Sequence, residues 1–211
     1  MKRHGRHRCL LAALAAAVLS VSADAQTVTD RYDELFRSYS KKFFGPAHDW
    51  RMFKAQAMAE SALDPAAKSW VGARGLMQLM PATYSEVRSR NSDLGEIDDP
   101  KWNIAAGIYY DRQLWVQWKE LGERGDRRRF VFGSYNAGRG TMMRAQKTAR
   151  AQAMDPHSWS SIEAVAGHVP RWRHEETLGY VGKIQANVAR MDDEGRVVRS
   201  APSARRSKGR G

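Results

Sequence analysis

The 211-residue chain holds a single cysteine, Cys9, so it can close no internal disulfide and supplies no Cys-rich zinc scaffold. Long apolar runs are scarce too. The most extended, Leu10–Leu19, falls short of the ~20 residues that cross a bilayer. Metal-ligand spacing is missing: His48, His157, His168 and His174 stand in no usual zinc pattern with one another. Gly138-Arg139-Gly140 lacks the Lys-Ser/Thr ending of a phosphate loop, and Ser134 is in no Gly-x-Ser-x-Gly setting. We therefore expect no metal and no cofactor. Negative charge is in deficit as well, with 23 Asp+Glu against 35 Lys+Arg and a net charge of +12. That excess invites a polyanionic partner such as nucleic acid, anionic lipid or an acidic wall polymer.

The position of the charge narrows this choice. Residues 1–25 carry Lys2, Arg3, Arg6 and Arg8 against Asp24, then the apolar run, then Ala23-Asp24-Ala25. A basic start, an apolar centre and a small-x-small ending make up a secretory signal peptide. A short anchor or a buried helix is the alternative. Cys9 precedes the apolar run, so it is not placed as a lipidation cysteine. The expected location is the periplasm or cell envelope. Residues 195–211 carry Arg196, Arg199, Arg205, Arg206, Lys208 and Arg210 with no acid, among Ser, Pro and Gly. This reads as a disordered basic tail, either tethering the protein to anionic envelope surfaces or solvated without a role. Residues 26–194 are left with 25 basic and 22 acidic residues, a nearly balanced domain. With an export signal and no nucleic-acid-binding motif, we expect no nucleic-acid partner.

Apolar residues are 42% of the chain, enough for a packed core. Between residues 26 and 194 the pattern predicts helices joined by short loops, and no internal repeat divides them. Expected helices run over 30–43, 50–63, 81–90, 103–121, 127–137, 141–153, 160–166 and 175–191. Pro81 suits a first turn, Asp98 and Asp99 suit N-caps, and Gly138 suits a helix stop. Lys68 to Leu79, broken by Gly72 and Gly75, reads as a loop or small hairpin. Trp102, Trp115 and Trp118 read as core, and Trp70 as a residue facing a groove.

One acid stands out. Phe53, Ala57 and Glu60 follow the i, i+4, i+7 spacing of one helix face. A carboxyl on an apolar stripe is desolvated, its pKa rises, and it can serve as a general acid near neutral pH. The spacing also allows Glu60 an exposed place near the helix end. Asp64, four residues on, could share a cleft with it, but Pro65 argues that the helix has already stopped.

The blocks around Glu60 carry a resemblance. Glu60-Ser61 is followed by Pro65, Ser69, Gly72-Ala73, Gly75-Leu76-Met77-Gln78, Pro81 and Thr83. Tyr135-Asn136-Ala137-Gly138, Glu176-Thr177 and Tyr180-Val181 come later in the chain. In this order they resemble the lytic transglycosylases of the soluble-lytic-transglycosylase domain family, from about Trp50 to Val188. The resemblance implies a mainly α fold of the α+β lysozyme-like kind, similar to goose-type lysozyme, with at most a small β-hairpin near Glu60. It implies cleavage of the β-1,4 bond between N-acetylmuramic acid and N-acetylglucosamine in peptidoglycan glycan strands, leaving 1,6-anhydromuramic ends. Glu60 matches the family's single acid/base. Ser69 matches a serine beside that carboxyl. Met77, Gln78, Tyr135 and Asn136 match the sugar cleft, although packing is the commoner role for a methionine such as Met77 and a structural role is equally open for Asn136. Glu176 would contact the ligand, and Tyr180 would orient the region near Glu60. A lysozyme-type muramidase and an inactive wall-binding module are the alternative readings. General wall turnover and local wall opening for an envelope-spanning secretion or conjugation machine both remain open as settings.

Overall fold

A computed structural model describes residues 30–122 and 125–198. The expected leader at 1–25 and the tail beyond Val198 lie outside these residues. Among the described residues the fold is mainly α: α1 (Asp33–Phe44), α2 (Arg51–Ser61), α3 (Pro81–Arg90), α4 (Pro100–Gln117), α5 (Gly125–Ala137), α6 (Arg139–Ala151), α7 (Trp159–Val165) and α8 (His174–Ala189). Short 3-10 turns at Lys119–Leu121 and Ala166–His168 extend α4 and α7.

The local chemistry accounts for the boundaries. In α1, Asp33 and Glu34 occupy the first turn and Lys41 and Lys42 the last, complementing the helix dipole at both ends. Helices α3 and α4 each begin on a proline, whose missing N–H would have had no partner there. Asp99 caps α4 by accepting from Lys101 N–H at 2.8 Å. Asp98, also expected to cap, instead pairs with Arg74 at 3.0 Å. Helix α4 begins three residues earlier than the periodicity suggests, because Pro100 can open a helix as readily as it ends one. The expected hairpin consists of isolated bridges, Lys68 to Arg74 and Arg74 to Leu79. A further bridge, Met191 to Val197, closes a turn after α8 that sequence reading assigned partly to the tail.

Two apolar clusters form the core. One gathers Phe36, Phe53, Ala57, Leu76, Met77, Ile104 and Ile108. The other gathers Met52, Ala55, Leu114, Trp118, Phe130, Met142, Trp159 and Ile162. Helix α2 contributes to both, and Met58, Tyr110 and Tyr135 pack against both. Its sequence explains this: Ala and Met lie on most sides, so α2 can be enclosed nearly all round. Each large side chain fully buried in this way contributes roughly 1.5–3 kcal/mol. Helix α8 packs along α2 from one side, and α1 packs on α4. The C-terminal end of α2 therefore emerges where the two cores meet. Of the tryptophans expected in the core, Trp118 is fully buried, while Trp102 and Trp115 are partly buried.

Candidate active site

Glu60 occupies the last turn of α2. Phe53 and Ala57 on the same face are buried, so the apolar stripe leads to the carboxyl. The helix ends because Ala62 and Leu63 take left-handed backbone conformations, φ 53° and 65°. The turn after it is tied down by Ser61, whose hydroxyl donates to Leu76 O at 2.9 Å. Asp64 Oδ1 accepts from Ala66 N–H at 2.9 Å, so this carboxylate shapes its own turn.

Glu60 keeps part of its surface open to solvent, while protein atoms surround the carboxyl on its other sides. Burial pushes its pKa from 4.5 to about 7, against a smaller opposing pull from Tyr180. The carbonyl end of α2 acts in the same sense as burial, since a helix C-terminus disfavours negative charge. The Tyr180 hydroxyl donates to Glu60 Oε1 at 2.5 Å, across 120 residues of sequence. Tyr180 is buried on α8, and burial together with the nearby Glu60 charge raises its own pKa well above 10. The phenol therefore keeps its proton and remains a donor.

Tyr135 on α5 closes another side. Its hydroxyl donates to Met77 O at 2.8 Å, and its ring packs against Tyr110 with centroids 5.3 Å apart. Met77 itself is fully buried, its side chain pressed against Gly107 of α4, where an added Cβ would come within 2.7 Å of it. Of the two roles open to Met77, packing and the cleft position that the resemblance implies, the side chain takes the first. It packs in the core, and its carbonyl anchors Tyr135. Gln78 spends its amide nitrogen on Gly75 O at 2.9 Å and Ala67 O at 3.1 Å, which leaves its oxygen as an acceptor. Ser69 is likewise committed to its loop: its hydroxyl accepts from Ala73 N–H at 3.0 Å, and no hydrogen bond joins it to Glu60. Trp70, at the tip of the same loop, is 91% exposed.

Asn136 is exposed, and its side chain makes no hydrogen bond among the described residues. Glu176 pairs with Arg173 at 3.0 Å and borders a shallow cleft of about 360 Å³ lined by Trp172 to Glu176. Among the described residues, the Glu60 side chain is thus hydrogen-bonded to Tyr180 alone. The structure gathers Met77, Gln78 and Tyr135 around the 67–79 loop, and leaves Asn136 and Glu176 on the surface.

Three further residues shape the site. Asn103 at the start of α4 accepts from Met77 N–H at 2.8 Å and donates to Arg74 O and Ile97 O at 3.0 and 2.9 Å. It therefore fixes the loop that faces Glu60. Gln56, one turn before Glu60, donates to Asp111 of α4 at 3.4 Å, and both are fully buried. The sequence did carry a sign of them. Asp111 stands seven residues after Ile104, on the apolar flank of its helix, where a carboxylate is out of place.

A helix-borne glutamate at the junction of two helical cores, with a phenol as its hydrogen-bond partner, belongs to a lysozyme-like α fold. Residues 35–158 match the Transglycosylase SLT domain family, and the chain belongs to that family. Similar proteins include membrane-bound lytic murein transglycosylase F of Vibrio cholerae, 34% identical over 63% of this chain and 23% of that protein. Its namesake in Vibrio vulnificus is 31% identical over 77% of this chain and 28% of that one. Among solved structures, the 70 kDa soluble lytic transglycosylase Slt70 of Escherichia coli matches with a TM-score of 0.50 and 26% identity, over 74% of this chain and 24% of that one. The chain spans about a quarter of the length of these relatives.

Proposed function

We propose that this chain is a peptidoglycan lytic transglycosylase with Glu60 as its acid and then its base. The observation that carries the reading is a single carboxyl, raised to about 7 and held by one phenolic donor. A glutamate with that proton affinity is neutral often enough near pH 7 to donate, and ionised often enough to accept. Glu60 gives its proton to the glycosidic oxygen as the bond from muramyl C1 breaks. The carboxylate then takes the proton of the muramyl C6 hydroxyl as that oxygen bonds to C1. The product is a 1,6-anhydromuramic end, and Glu60 finishes protonated as it began. The nucleophile comes from the substrate, so the site needs no second carboxylate at the ~5–5.5 Å or ~6.5–9.5 Å spacing of ordinary glycosidases. Asp64 is engaged in its own turn, which agrees with this division of roles.

Gln78 Oε1, Asn136 and Glu176 are the polar groups left to meet sugar or peptide. Tyr180 steers the Glu60 carboxyl, and the Ser69 loop borders the cleft. The leader expected at 1–25 supports a location in the periplasm or envelope, with general wall turnover or local wall opening for a secretion or conjugation machine as the setting. Among the described residues no helix is long and apolar enough to cross a membrane.

Purified sacculi digested with the protein, with the products resolved by mass spectrometry, provide the test. Anhydromuramic products, lost in Glu60→Gln, are expected. Reducing muramic ends alone would make the protein a lysozyme-type hydrolase, and an active Glu60→Gln would remove the residue from its role.

A further inference from the structure

Behind Glu60, one turn down α2, Gln56 faces Asp111 of α4. Neither side chain reaches solvent. One hydrogen bond joins them, from Gln56 Nε2 to Asp111 Oδ1 at 3.4 Å. The two atoms left over, Gln56 Oε1 and Asp111 Oδ2, are both buried and both without a partner. If Asp111 were ionised, both leftover atoms would be acceptors with nothing to accept, and each orphan costs ~1–3 kcal/mol. A single proton on Asp111 removes the conflict, because a carboxylic acid and a primary amide are complementary in donor and acceptor.

We propose that Asp111 is a neutral carboxylic acid whose Oδ2 proton is donated to Gln56 Oε1, and that this uncharged pair is a positioning element behind Glu60. The proposal rests on the catalytic reading of Glu60 for its functional part, but its structural part can be measured without activity. The pair fastens Gln56 to α4, one turn below the catalytic carboxyl and on the same helix. It also keeps negative charge away from Glu60. An ionised neighbour would repel the carboxylate and raise its proton affinity further, leaving a strong holder of the proton and a poor donor.

The surroundings favour the neutral form. Facing or flanking Asp111 are Glu60 on α2, Tyr110 on its own helix, Tyr135 and Arg128 on α5, and His48 before α2. Burial holds Asp111 well above the usual carboxylate range, and the Glu60 charge adds to this. Tyr110 and Tyr135 are shifted upward and stay neutral. Burial, with Arg128 and Arg112 nearby and against a smaller opposing pull from Asp49, lowers His48 to about 4, so it brings no cation. Two permanent charges stand by the recess beside Asp111: Arg128, which lines it with an exposed side chain, and Arg112 of α4, whose guanidinium lies 5.6 Å from the centre of the Phe44 ring. That recess, walled by Phe44, His48, Phe53 and Trp115, offers about 10 Å³ beside Asp111, close to the room one water needs. A water there is the competing way to satisfy Oδ2, and it would allow Asp111 to ionise.

Carbon-13 NMR of aspartate carboxyls in the full protein decides between the two. The expected result is one resonance, absent from Asp111→Asn, that holds the protonated position from pH 5 to pH 8. Asp111→Asn offers the same donor and acceptor to Gln56, so the alkaline limb of its kcat/KM profile should coincide with that of the wild type. Asp111→Leu breaks the pair and should lower kcat about tenfold. An Asp111 resonance at the ionised position at pH 7 would overturn the proposal. So would an alkaline limb moved down by a pH unit or more in Asp111→Asn, because removing a real negative charge lets Glu60 ionise earlier. Neither result would alter the product analysis that tests the lytic reaction.

Discussion

Tyr180 and Glu60 lie 120 residues apart in the sequence, on helices α8 and α2 that pack side by side, and their side chains meet in a hydrogen bond of 2.5 Å. The distance is that of a hydroxyl donating to a carboxylate, where charge strengthens the bond. Such bonds contribute ~1.5–3 kcal/mol when one partner is charged. The bond favours the ionised form of Glu60 and so works against burial. Removing it has a definite sign. In Tyr180→Phe the Glu60 pKa rises above about 7, and the alkaline limb of kcat/KM moves to higher pH. The rate should fall by roughly 10- to 100-fold, because the carboxyl loses the donor that orients it. A pH profile on soluble glycan reads both effects. A limb that moved down would show that Tyr180 supports the neutral acid instead.

Glu60 also burdens the fold. Its pKa is about 7 in the folded protein against 4.5 in a free chain. Between those values the folded protein keeps a proton that the unfolded chain releases. Stability therefore falls as pH rises through that window, and the loss persists above it. The difference corresponds to about 3 kcal/mol at full effect. Glu60→Gln removes the charge and should stabilise the protein by about 1–3 kcal/mol at pH 8, with almost no gain at pH 4.5. For a domain of this size that is a rise of several degrees in Tm. Thermal unfolding at the two pH values checks it. An equal gain at both would place its origin in packing.

The 67–79 loop depends on Asn103 and on the backbone of Gly75. Gly75 has φ 73°, and a Cβ there would come within 2.5 Å of Asn103 Nδ2. Gly75→Ala combines a disfavoured backbone with that clash, so it should cost at least about 2 kcal/mol. Asn103→Ala leaves Met77 N–H and Ile97 O without their partner, while Arg74 O keeps the Leu79 N–H, and about 2–3 kcal/mol is expected. Both should lower kcat more than they raise KM if the loop serves the reacting end of the cleft. Urea unfolding and steady-state kinetics separate the two effects. A normal kcat in a destabilised Asn103→Ala would confine this residue to folding.

The eight helices were legible because their edges carry local chemistry: Pro81, Asp99 and Gly138 each mark a boundary. The spacing of Phe53 and Ala57 put Glu60 on an apolar stripe but equally allowed it an exposed place, and it was the blocks after it that singled the residue out through the family resemblance. Tyr180 could be paired with it only through the family resemblance, since nothing local links residues 120 apart. Met77 had two readings because a methionine suits a core and a binding surface alike, and its contact with Gly107 exists only in three dimensions. The Gln56–Asp111 pair went unread for a similar reason. Asp111 is out of place on the apolar flank of α4, but Gln56 is unremarkable on α2, and the meaning of the pair arises where the two helices cross.

The C-terminal boundary offers the last prediction. The sequence suggests a tail from Gly195, yet Gly195 and Val197 belong to a clasp on α1 and α2. Lys54 is fully buried, pairing with Asp33 at 2.7 Å and donating to Gly195 O at 2.8 Å. Arg37 donates to Glu194 O at 2.8 Å and Arg51 to Asp192 O at 2.9 Å. A chain ending at Glu194 loses the carbonyl that helps to solvate the buried ammonium, and with it the Met191–Val197 bridge. A buried charge stripped of one partner is costly, so a loss of about 2–4 kcal/mol is expected. A chain ending at Val198 keeps every one of these contacts and should unfold at the same temperature as the full protein. It still lacks Arg199, Arg205, Arg206, Lys208 and Arg210. If the tail tethers the protein to anionic envelope surfaces, that shorter chain will bind isolated envelopes more weakly at low salt while cleaving soluble glycan at the full rate. Equal melting of the two truncations would show that the clasp contributes nothing to stability, and a slower glycan reaction in the longer one would move the domain boundary beyond Val198.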